Sequence, residues 1–156
     1  MLQTTEAITR EVVVNTPPDA AFRVFTAEMT AWWPSDHHIG SAPIAEIVIE
    51  PQVGGRWFTR HTDGSETDTG RVVAWDPPGG FSVTWQIGAD WRYHDDLATT
   101  VDVGFHDAGD GRTRVVLTHR DLDAYGEHAA AMHEMFSEPG AWTATLEAFA
   151  ARAGAA

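Results

Sequence analysis

Residues 29–40 read MTAWWPSDHHIG and set a serine, an aspartate and two histidines at consecutive positions: Ser35, Asp36, His37 and His38. Three kinds of chemistry use such groups. A divalent metal takes imidazole nitrogens and carboxylate oxygens, but adjacent histidines rarely turn to one ion, and no His-x-His or His-x-x-x-His spacing supports this pair. His128 and His133 stand five apart, on different faces of any helix that carries them. The chain has no cysteine, which excludes disulfides, thiolate metal sites and cysteine nucleophiles. No metal and no cofactor is expected. A hydroxyl nucleophile would need Ser35 aligned with His37, yet there is no Gly-x-Ser-x-Gly turn, and sequence neighbours do not supply the geometry of an activated serine. Gly54 and Gly55 precede a strand pattern, not a helix, so they do not make a phosphate-cradling loop. Asp95 and Asp96 fit a polar turn before Leu97. With no paired acid and base standing out, binding is expected over catalysis. The third chemistry is recognition, with Trp32, Trp33 and Pro34 as an apolar rim beside the polar residues 35–38.

Periodicity predicts the elements that hold these residues. Residues 8–14 (ITREVVV) are β-branched and stop at Asn15, Thr16, Pro17 and Pro18. Residues 19–29 carry Ala20, Ala21, Val24, Phe25 and Ala27 at helical spacing, after prolines suited to a helix start. Residues 29–40 then form a loop or a broken second helix. Six strand patterns follow, at 44–50, 55–61, 67–75, 81–87, 97–105 and 112–119. Turn signals separate them at Gly54 and Gly55, at Asp63 and Gly64, at 77–80 and at 107–111. Consecutive strands with short turns predict an antiparallel sheet. Tyr125, Ala129, Met132 and Phe136 form a helical stripe; residues 137–140 (SEPG) interrupt it; Trp142, Leu146 and Phe149 resume it. Residues 153–156 read as a flexible end. The expected class is α+β, in a single domain over residues 1–156.

Composition excludes several partners. Ten basic residues against 23 acidic ones give a formal charge of −13, which repels a phosphate backbone and an anionic membrane. No run approaches the ~20 apolar residues of a membrane span. The first fourteen residues lack a basic region followed by an apolar block, so no secretory leader is expected, and the composition suits a cytoplasmic protein, monomer or homodimer.

Four segments in order carry a resemblance: the early strand with PPDAAFRVFT, then PQVGGRWF, then GRVVAWDPPGGFSVTW, then EPGAWTATLEAFA. Together they resemble the SRPBCC, or START-like, superfamily, in the branch named after the activator of the heat-shock protein 90 ATPase. The resemblance covers about residues 8–151. It implies a helix-grip fold, a curved antiparallel sheet of about seven strands around a long C-terminal helix, with two short helices after the first strand. It implies a small hydrophobic ligand as partner, with a chaperone, or a cyclase- or hydrolase-type reaction, as alternatives.

In such a fold the space between sheet and helix is a cavity unless large side chains fill it. Seven tryptophans in 156 residues is an excess suited to cavity walls. Trp57, Trp75, Trp85, Met132, Phe136 and Trp142 are the candidate walls, or simply core. Trp32, Trp33 and His37 lie at the rim. His119 shares a strand face with Val115 and Leu117, and if that face is the inner one it is the acid–base or hydrogen-bonding candidate. Asp102 and His106 fall on the opposite face to Val101, Val103 and Phe105. Arg92, Tyr93 and His94 could flank the mouth.

Overall fold

Seven strands pair antiparallel in one sheet, ordered β1-β7-β6-β5-β4-β3-β2, in the computed structural model, which describes residues 5–154. Residues 1–4, part of the segment without a leader pattern, and 155–156, part of the expected flexible end, lie outside the described residues. The strands are β1 (Ile8–Val14), β2 (Ile44–Ile49), β3 (Arg56–His61), β4 (Glu66–Asp76), β5 (Gly80–Trp85), β6 (Thr99–Gly109) and β7 (Arg112–Arg120). Alternation sorts their side chains. Phe81, Val83, Val101, Val103, Phe105, Val115 and Leu117 are buried on the concave face. On the convex face Asp102 accepts from the Ser82 hydroxyl at 2.6 Å and pairs with Arg120 at 2.6 Å, while His106 is exposed. Burial of Asp102 raises its pKa, but Arg120 and Ser82 outweigh it and hold the carboxyl below its ordinary value.

Helix α1 (Pro18–Thr26) starts on a proline, whose missing amide costs nothing in a first turn, and buries Ala21, Phe22, Val24 and Phe25. A single turn, α2 (Met29–Trp32), follows, so the helical pattern over 19–29 breaks near Ala27. The C-terminal region is a 3₁₀ turn (Leu122–His128), α3 (Ala129–Ser137), a wide π turn (Pro139–Thr143) and α4 (Ala144–Ala153). The long helix that the resemblance implies is thus divided in two, at the interruption expected at residues 137–140. Glu138 is extended (φ −69°, ψ 150°), as a residue before proline prefers, and Ala141 is non-helical. Helix α4 fills the concavity with Leu146, Phe149 and Ala150; the Phe149 ring lies 5.0 Å from Phe25 and 5.5 Å from Trp32. Its end is fastened to β1 by Asn15 N–H donating to the Gly154 carbonyl at 2.7 Å.

Two features depart from the short-turn expectation. The β5–β6 connection, residues 86–98, is long and carries its own bridge between Ile87 and Tyr93. Strand β6 begins at Thr99 and runs to Gly109, through an irregularity between Asp107 and Gly109. The concave face also changes character along the sheet. It is aliphatic and aromatic on β5–β7, but on β3 and β4 it presents buried Thr59, His61 and Thr69. No described helix is long and apolar enough to cross a membrane.

Candidate functional site

Where the C-terminal helix breaks, a cleft of about 510 Å³ opens between sheet and helices. The break makes one wall: Glu138, Gly140 and Ala141 line it beside Trp142. Residues 33–39 form the facing wall, Trp85 and Ile87 the floor, and Trp91 of the long connection the outer edge. The indoles meet edge to face, the arrangement aromatic quadrupoles prefer. Trp85 lies 5.5 Å from Trp142 and 5.7 Å from Trp57, and Trp33 lies 5.9 Å from Trp57.

Local hydrogen bonds fix the rim. Pro34 starts a turn in which its carbonyl accepts from the His37 amide at 3.0 Å. The Trp33 indole N–H donates to the His37 carbonyl at 2.8 Å. Trp33 therefore faces the cleft with its polar edge satisfied. Beneath this loop the His61 ring, 1% exposed, is held at both nitrogens. The Ala42 carbonyl can only accept, so Nδ1 carries a hydrogen, and Nε2 hydrogen-bonds with the Thr67 hydroxyl at 2.9 Å. A Cβ on Gly40 would stand 2.4 Å from this ring. Gly40→Ala is therefore expected to displace residues 37–40 and cost about 1–2 kcal/mol, measured by urea unfolding.

His119 is fully buried behind the cleft wall, on the inner face. Trp142 Nε1–H donates to its Nδ1 at 3.1 Å, which assigns the hydrogen to Nε2. Nε2–H then donates to the Thr99 hydroxyl at 2.8 Å, and that hydroxyl donates to the Trp85 carbonyl at 2.8 Å. Every group in the chain has its partner, and burial lowers the imidazole pKa from 6.5 to about 3. His119 is thus a neutral strut that holds Trp142 against β5–β7. The buried Tyr125 hydroxyl donates to the Ile87 carbonyl at 2.7 Å, and burial raises its pKa, against the neighbouring Trp85 and Thr99. Trp85 Nε1 lies near enough to influence that phenol but makes no hydrogen bond of good geometry.

Seven of the residues singled out in the sequence meet at the cleft: Trp33, Asp36, His37, His38, Trp85, Phe136 and Trp142. Trp57 lines a narrower void of about 20 Å³ next to it. Met132 and His119 are buried behind these walls. Trp32 is core, donating to the Val24 carbonyl at 2.8 Å, and Trp75 packs on Phe22 with ring centres 5.1 Å apart. Of the mouth candidates, Arg92 is exposed and His94 pairs with Asp90 at 2.9 Å. Sequence reasoning missed Trp91, Ile87 and Met135 as lining residues. Trp91 gave no periodic signal: it is 51% exposed, with φ 61°, in an irregular segment. Met135 lies in α3 one position before Phe136, outside the Met132–Phe136 stripe that the sequence singles out. Among the described residues no three His, Asp or Glu side chains converge as metal ligands would.

Comparison with known proteins agrees with this architecture. An anthrahydroquino-γ-pyrone synthase, Txn09, solved as a complex, is 35% identical, with 97% of this chain and 99% of that one covered and a TM-score of 0.66. The self-sacrificing resistance protein CalC from Micromonospora echinospora is 25% identical over 95% and 94% of the two chains, with a TM-score of 0.69. An HSP90 activator from Plasmodium falciparum shares the fold at 18% identity, with 74% and 72% covered and a TM-score of 0.53. No curated protein sequence matches. Residues 15–154 match the family described as activator of Hsp90 ATPase homolog 1-like protein. With its curled seven-stranded sheet closed by C-terminal helices, the chain belongs to that SRPBCC-type, helix-grip family.

Proposed function

We propose that the protein binds a flat aromatic molecule, of the fused-ring size that a pyrone synthase handles, in the cleft at the helix break. The cleft itself carries this reading: about 510 Å³ is within the range of small-molecule sites, and its walls are indole and phenyl faces. The 35% identity to an anthrahydroquino-γ-pyrone synthase over nearly the whole chain supports the ligand class. Titration with 1,4-dihydroxyanthraquinone, followed by tryptophan fluorescence, is expected to give saturable quenching in the micromolar range. Trp33→Ala should weaken it about tenfold, since a well-packed aromatic anchor contributes more than 1 kcal/mol. Unsaturable quenching, equal in wild type and variant, would defeat the proposal.

A ring-closing activity on such a ligand is the second reading. It is favoured by the same relative's activity and by His37 at the cleft, 3.8 Å from the Asp36 carboxylate. Absence of turnover of a bound ring-open precursor would count against it, and turnover that survives His37→Ala would count against a part for His37. A chaperone-assisting role rests on the family's description alone, and a pull-down with Hsp90 would address it directly.

A further inference from the structure

The 20 Å³ void adjoins the large cleft, and His38 lies in the wall they share. Its floor differs from the rest of the site. Thr59, Thr67 and Thr69 line it from β3 and β4, where the concave face turns from aliphatic to hydroxylated. His38 Nδ1 is buried with no hydrogen-bond partner among the described residues. A buried ring nitrogen left unpaired is unfavourable, so the site lacks a hydrogen-bonding group at this point. The volume is that of one water-sized group.

We infer that the site recognises a hydroxylated aromatic, with the ring system in the large cleft and one neutral hydroxyl seated in the small void against His38 Nδ1. This rests on the binding reading above and adds the identity of the polar group. A hydroxyl fits on three counts. It is the size of the void. It both donates and accepts, so it satisfies Nδ1 in either tautomer and can also meet a threonine hydroxyl. It carries no charge, whereas a carboxylate would enter a chain of net charge −13 through a rim that holds Asp36 and Glu138. Trp33, His37 and Ile39 border both voids, so ring and hydroxyl are gripped by one loop.

The test compares 2-naphthol with 2-methylnaphthalene, which differ by a hydroxyl for a methyl of equal size. Calorimetry on the full chain is expected to show 2-naphthol binding about tenfold tighter. His38→Leu should reduce that preference to about twofold and leave 2-methylnaphthalene unaffected. His38→Asn, whose amide reaches the position of Nδ1, should restore it. The ¹⁵N resonance of His38 Nδ1 should move with 2-naphthol and not with 2-methylnaphthalene. Equal affinities for the two compounds in the wild type, with dihydroxyanthraquinone still bound, would overturn the hydroxyl assignment while leaving the aromatic cleft intact. Binding of none of the three would overturn both. A preference retained in His38→Leu would place the hydroxyl elsewhere and also refute the assignment.

Discussion

Phe149→Ala is expected to destabilise the fold by about 3–5 kcal/mol, the cost of emptying a large aromatic site in a core that cannot fully collapse. The ring is 0% exposed and sits where α1, α2 and α4 meet, against Phe25 and Trp32. Its neighbours are held in place. Trp32 is fixed by the hydrogen bond to the Val24 carbonyl, and Phe25 is locked among Phe81, Phe105 and Phe149. A domain of this size has about 5–15 kcal/mol in total, so the variant should melt about 10 °C lower or more. Urea unfolding gives the check: the midpoint should fall with the slope unchanged. A loss below 1 kcal/mol would mean that α4 does not plug the sheet as described.

The second large effect is a pH dependence set by His119. Its pKa is lowered by burial from 6.5 to about 3. Between those values the unfolded chain takes up a proton that the folded chain refuses. The stabilisation is therefore complete above about pH 6.5 and lost as pH falls, at about 1.4 kcal/mol per pH unit, reaching roughly 4 kcal/mol near pH 3. His119→Leu should behave in two ways at once. At pH 7 it should cost about 2–3 kcal/mol, because Trp142 Nε1 loses its buried acceptor. Below pH 6.5 its stability should fall less steeply than the wild type's. Urea midpoints for both proteins at pH 7.5, 6, 5 and 4 would show the curves converging. Parallel curves would mean that the imidazole is not held neutral.

The sheet was legible because its concave face repeats every second residue: Phe81, Val83 and Trp85 on β5, and Val115, Leu117 and His119 on β7, could be assigned to one side from alternation alone. The helix break was legible too, since proline and glycine at 139 and 140 leave little alternative. What sequence could not supply was depth. His119 and Trp75 looked alike as candidates on strand faces, yet one is sealed behind Trp142 and the other closes the opposite end of the core against Phe22. Only strand register and the path of residues 137–143 decide that. His61 escaped notice because nothing in GRWFTRH marks a histidine whose both nitrogens find partners, Ala42 and Thr67, outside its own strand. Residues 86–98 obey no period, so Trp91 could not be placed by one.

The position of α4 has a consequence for how the protein is made. Leu146, Phe149 and Ala150 are synthesised after all seven strands, yet they occupy the middle of the core. Until they arrive, the sheet lacks α4 in its concavity, and Phe25 and Trp32 lack the Phe149 ring that packs on them. A nascent chain in this state displays apolar surface of the kind that aggregates or engages trigger-type holdases. Arrest during synthesis just before residue 144 should therefore yield an insoluble or holdase-bound product, whereas a chain that includes residues 144–154 closes the core.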